Sequence, residues 1–180
     1  MMLLLLISLI PAALSGYIGD IEKVGSKTIY LYSRNINIEV YNQNGSDKKN
    51  YKGEQYFYDK FIEFSILYKE KWGIGNSRGD CTANNLKIVY LKEGFLNNER
   101  NIAIWTGNRT ILKEGETLLG LYTYKDFYNT IYISDSKYDI ASMDKRFIHE
   151  ISHFWYAKSC LNSANEENER RAVEMEKNLE

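Results

Sequence analysis

The chain contains two histidines, His149 and His153, four residues apart in the segment FIHEISHFWYAKSC (147–160), with Glu150 directly after the first. On a helix, positions four apart stand on one face about one turn apart, so two imidazoles can reach one ion. Glu150 lies beside them and can reach a water bound to that ion. Zinc takes four ligands, and a catalytic site leaves one position to water, so a third protein ligand is required. The chemistry on offer is metal-assisted hydrolysis. The plainer reading is a buried helix whose two imidazoles find other hydrogen-bond partners.

No histidine remains for the third ligand, which must therefore be Asp, Glu or Cys. The last predicted helix, roughly 165–178, offers Glu166, Glu167, Glu169, Glu174 and Glu176. Its few apolar residues, Ala172, Val173 and Met175, mark the buried side. Glu169 stands three before Ala172 and four before Val173 and projects from that side, which makes it the first choice. Glu166, one turn earlier, is the next. The other glutamates read as solvated, as charges on such a helix usually are. Cys160 returns to nearly the same helix face as His149, but three turns along a helix is ~16 Å, too far to share the ion.

Other elements must position these groups. KTIYLYS and INIEVYN alternate apolar and polar residues around Arg34-Asn35 and read as a hairpin, followed by the polar turn QNGSDKKN. From Gly53 to Trp72 the period changes: Phe57, Phe61, Phe64, Tyr68 and Trp72 line one face of a helix. The glycines of GIGNSRGDC end it. NLKIVYL (85–91), NIAIW (101–105), LLGLYTY (118–124) and NTIYIS (129–134) read as strands, the last two joined by a short turn. The motif helix, roughly 142–160, carries Phe147, Ile148, Ile151, Phe154 and Trp155 on most sides and so belongs inside the molecule. Hairpin, helix, strands, helix, helix is an α+β order.

At this point the segment resembles the zincin metallopeptidases, specifically the gluzincins, in which His-Glu-x-x-His is completed by a glutamate on a following helix. No further histidine stands six residues on, as the metzincin pattern requires, and no Asn-Glu-x-x-x-Asp motif of the thermolysin kind follows. Glu169 with Ala172 is similar instead to the Glu-x-x-Ala arrangement of minimal gluzincins. The motif-level likeness covers residues 147–176; upstream the match is one of element order. The resemblance implies a mixed sheet with a backing helix, a motif helix and a C-terminal glutamate helix. It also implies Zn2+ held by His149, His153 and Glu169, with Glu150 as general base in peptide hydrolysis. GLYTY would be the edge strand that pairs with an extended substrate. The alternative is a catalytically inactive, metallopeptidase-like binding module, whose zinc is structural or absent.

Composition is that of a globular chain, and 180 residues suit a single domain, here 16–180. A net charge of −1 provides no electrostatic footprint for nucleic acid. The apolar run of MMLLLLISLIPAALSG is shorter than the ~20 residues a helix needs to span a bilayer and reads as a signal peptide over 1–15, with Ala13 and Ser15 before the cut. Retention of this segment would instead make a membrane anchor or a buried strand. Secretion, or delivery to a periplasm, suits a pair of cysteines, Cys81 and Cys160, that can form one bridge. Closing that loop is worth about 4–5 kcal/mol in the chain-entropy model; two buried thiols are the other possibility. Arg78-Gly79-Asp80 reads as a turn, and the sequons at Asn44 and Asn108 matter only in a eukaryotic secretory route.

Overall fold

A computed structural model describes residues 21–43, 51–74, 81–92, 96, 119–125, 127–134, 141–161 and 165–179. The predicted leader, the strand at 101–105, Arg78-Gly79-Asp80 and both sequons lie outside these residues. The described elements are β1 (Ile21–Leu31), β2 (Arg34–Gln43), α1 (Glu54–Trp72), β3 (Asn85–Leu91), β4 (Gly120–Lys125), β5 (Tyr128–Ser134), α2 (Ala141–Lys158) and α3 (Asn165–Glu176), with a 3-10 turn at Lys177–Leu179. The expected α+β class holds: three helices accompany a mixed five-stranded sheet of order β1-β2-β3-β5-β4. β2, β3 and β5 run parallel, while β1 and β4 pair antiparallel at the two edges.

Alternation along the strands sends Ile36, Ile38 and Val40, Leu86, Ile88 and Tyr90, and Ile131 and Ile133 to one face. There they meet Phe57, Phe61, Phe64 and Tyr68 of α1 and the apolar side of α2. The predicted stripe on α1 is therefore its core face, except that Trp72 is only partly buried. The helix stops at Gly73, whose N–H still bonds back to Lys69 O at 2.8 Å and whose positive φ of 71° turns the following chain out of the helix. Ser65, buried midway along α1, accepts a hydrogen bond from Trp155 Nε1 at 2.8 Å and so pins α1 to α2.

One predicted feature moves. The first hairpin turns at Tyr32-Ser33, with Leu31 opposite Arg34, rather than at Arg34-Asn35. Both turn residues have positive φ, 53° and 61°, the geometry that two-residue hairpins require but Asn and Gly adopt more readily. Tertiary contacts hold the turn there: the Tyr32 ring meets Trp155 edge-on at 5.7 Å and lies under Lys69 Nζ at 4.2 Å.

Cys81 and Cys160 are disulfide-bonded, as their pairing in the sequence allows. Beside the bridge, the buried Lys158 ammonium donates to Thr82 O at 3.0 Å and Ala83 O at 3.2 Å. Together they fasten the C-terminal end of α2 to the entry of β3.

Candidate metal centre

Helix α2 is buried almost all round. Phe147, Ile148, Ile151, Phe154 and Trp155 are each 0% exposed. His149 and His153 stand on its one partly open side, their ring centroids 4.7 Å apart. Across from them runs α3, whose core-facing stripe is Asn168, Arg171, Ala172 and Met175. Val173, expected on that side, is instead 41% exposed, because at this crossing the stripe follows 168, 171, 172 and 175. Arg171 supplies much of the docking. Its guanidinium lies 4.8 Å from the Trp72 ring centre and 5.3 Å from that of Tyr156, and its Nε donates to Glu167 at 2.7 Å.

This docking brings His149, His153 and Glu169 together, with one ligand atom from each inside 4.8 Å of the others. Glu169 Oε1 lies 3.5 Å from His149 Nε2, and Oε2 lies 3.6 Å from His153 Nε2. These gaps are too long for good hydrogen bonds. Two imidazole nitrogens and a carboxylate at these separations are a donor set that could hold a metal ion. Glu166, the second choice, is exposed and outside the cluster.

The far nitrogens explain why both Nε2 atoms are available. His149 Nδ1–H donates to Glu176 Oε1 at 2.6 Å, and His153 Nδ1–H donates to Asn168 Oδ1 at 2.8 Å. Both acceptors place a proton on Nδ1, turn Nε2 toward Glu169, and lock each ring's rotation. Burial, with the neighbouring His149, holds His153 below the ordinary imidazole pKa, against the opposing effect of Asn168. It is therefore a neutral ring. Glu176, read from the sequence as solvated, is thus a ring-orienting partner, and Asn168 had not been singled out. A signal existed: Glu176 follows Glu169 by seven residues, two helical turns, and shares its stripe.

Glu150, next to His149 on α2, reaches the edge strand β4 and is 5% exposed. Its carboxylate accepts the backbone N–H of Tyr122 in β4. Burial first, then the Glu169 and Glu176 carboxylates, push its pKa well above the usual range, and the Tyr122 bond opposes that rise. A buried carboxyl group with raised proton affinity is suited to accepting and returning a proton. β4 is an edge strand and packs directly against α2, so the carboxylate sits at the open side of the sheet.

No protein-family model matches the chain, and no curated protein and no solved structure is detectably similar to it. Among the described residues, no helix is long and apolar enough to cross a membrane.

Proposed function

We propose that the chain is an exported zinc-dependent peptidase of minimal gluzincin type. The observation that carries this reading is the combination of two Nε2 atoms held toward Glu169 with a buried carboxylate, Glu150, on the adjacent helix position. His149, His153 and Glu169 would hold the ion, and the fourth position would be left to water. Bound in such a set, zinc acts as a Lewis acid and lowers the pKa of its water toward ~7.

The protein's own groups do the rest. Glu150 takes a proton from the attacking water and passes it to the leaving amine, a transfer its raised proton affinity suits. Tyr122 N–H holds that carboxylate in place through the cycle. Glu176 and Asn168 keep the imidazoles aimed and supply electron density through Nδ1. The sheet supports the reading at the level of architecture: an antiparallel edge strand, β4, runs beside the motif helix, and an extended peptide could add to it. Export is supported by the apolar leader in the sequence and by the Cys81–Cys160 bridge.

The test is zinc per chain, by elemental mass spectrometry, on the wild type, Glu169→Ala and Glu150→Gln, with hydrolysis of a peptide library alongside. One zinc in the wild type, little in Glu169→Ala, and full zinc without hydrolysis in Glu150→Gln are expected. Zinc without hydrolysis in the wild type would make the chain a metal-holding binding module. No zinc in any of them, even after incubation with the ion, would end the reading.

A further inference from the structure

We propose that strand β4 carries a slot, made by the missing side chain of Gly120 and the backbone amide of Tyr122, that positions the Glu150 carboxylate, and that residue 120 must be glycine for this reason. The inference rests on the proposed function only in giving Glu150 a proton to carry; the slot itself is a matter of geometry.

The sheet register shows why the slot exists. Ser134 N–H donates to Leu119 O at 2.9 Å, and Gly120 stands opposite Ile133. Leu119 and Ser134 therefore form a hydrogen-bonded pair, and so, by alternation, do Leu121 and Tyr132. The peptide groups of Gly120 and Tyr122 consequently point away from β5, toward the open edge. Glu150 satisfies one of these outward groups, the Tyr122 N–H.

Gly120 is where the side chain enters. A Cβ at this position would lie 2.6 Å from Glu150 Oε1, 3.1 Å from Cγ and 3.2 Å from Cδ. The first distance is below any real contact, so the carboxylate would have to move, and the other two are tight for a side chain that is 5% exposed. Gly120 is not among the glycines with positive φ, so its backbone would accept any residue. Glycine in a strand interior ordinarily weakens it, and a glycine there marks close approach by another group. Space for the carboxylate is what selects it. Alanine at 120 would push Glu150 off the Tyr122 amide and away from the face that His149 and His153 share.

A four-member cycle tests this: wild type, Gly120→Ala, Glu150→Ala and the double variant, each followed by thermal unfolding of the metal-free protein. Gly120→Ala should lower Tm by roughly 4 °C or more when Glu150 is present. In the Glu150→Ala background the same change should leave Tm unchanged or raise it, since alanine suits a strand better than glycine. Should Gly120→Ala alone fail to fold, recovery of folding in the double variant supports the slot. Equal Tm changes in both backgrounds, or a double variant that also fails to fold, would overturn it. With activity in hand, Gly120→Ala should lose at least tenfold in kcat while KM and zinc content hold; unchanged kcat would count against a positioning role. Absence of hydrolysis in the wild type would remove the proposed function and leave the coupling in Tm to be judged separately.

Discussion

The two helices that meet at the candidate centre are held in place by different physics. α2 carries the two histidines, and five of its large apolar side chains are fully buried; their gross burial is worth roughly 8–15 kcal/mol. α3 carries Glu169 and buries only Ala172 and Met175 completely, worth about 3 kcal/mol by the same measure. What keeps α3 against the body is mostly polar. Arg171 stacks on Trp72 and Tyr156, Lys71 Nζ donates to Glu174 O at 3.2 Å, and Glu176 and Asn168 receive the two imidazole protons. Two candidate ligands thus sit on a helix whose position is set by the core. The third sits on one whose position depends partly on the ligands themselves, so metal binding and docking of α3 should reinforce each other.

The contrast can be broken most forcibly from the α2 side. Trp155→Ala removes a fully buried indole and its bond to Ser65, and should cost about 3–5 kcal/mol of global stability in urea titrations. If α2 were as loosely held as α3, the loss would be far smaller. Next in size, Glu176→Ala should weaken metal affinity about 10–100-fold while leaving urea stability of the metal-free protein within about 1 kcal/mol. Competition with a chelator would measure it, and Asn168→Ala should act similarly through His153.

Arg171→Ala comes third. Loss of its two ring contacts and the Glu167 pair should cost about 1–2 kcal/mol. Hydrogen exchange should then accelerate over residues 165–176 and stay protected over 141–158. Equal acceleration in both would mean that α2 and α3 form one cooperative unit.

A pH titration sharpens the same comparison. The folded pKa of His153 is depressed by burial, so the unfolded chain takes up its proton first as pH falls. Its contribution to metal-free stability is whole above the ordinary imidazole value of ~6.5 and declines as pH drops from there toward the lower folded value. If His153 holds the proposed ion, metal loading should persist somewhat below that ordinary value, because only the neutral ring can coordinate. His153→Gln should flatten the stability profile in that window. Smallest of all, Val173→Lys on the exposed side of α3 should change stability by no more than about 0.5 kcal/mol.

Much of this was legible in the chain because its signals are local. Phe57, Phe61, Phe64 and Tyr68 recur at helical spacing, and the strands around Ile36, Leu86 and Ile131 alternate or run apolar, so element type followed from period alone. Glu169 was chosen for its spacing of three from Ala172 and four from Val173, and the Ala172 half of that argument holds in the structure. The misplaced features share a different cause. Val173 was assigned inward because three apolar residues define a helix face poorly; Arg171, a charged residue, turned out to occupy the face through its planar guanidinium. Glu176 looked like any surface acid until His149 was seen across from it. The first hairpin turn settled on Tyr32-Ser33 against local preference, held by Trp155, a residue more than a hundred positions away.

By itself, then, the sequence determined the residues of the candidate centre: two imidazoles one turn apart, an acid beside them, a second acid on the next helix, and two cysteines able to close one bridge. These are properties of residue type and spacing along single helices, where geometry repeats every 3.6 residues. The tertiary structure decided the rest. It set Glu169 3.5 and 3.6 Å from the two Nε2 atoms, chose which acid and which amide orient the rings, and laid Gly120 and Tyr122 of an edge strand against Glu150. Each of those relations joins elements far apart in the chain, and their distances follow from how a sheet and three helices pack together.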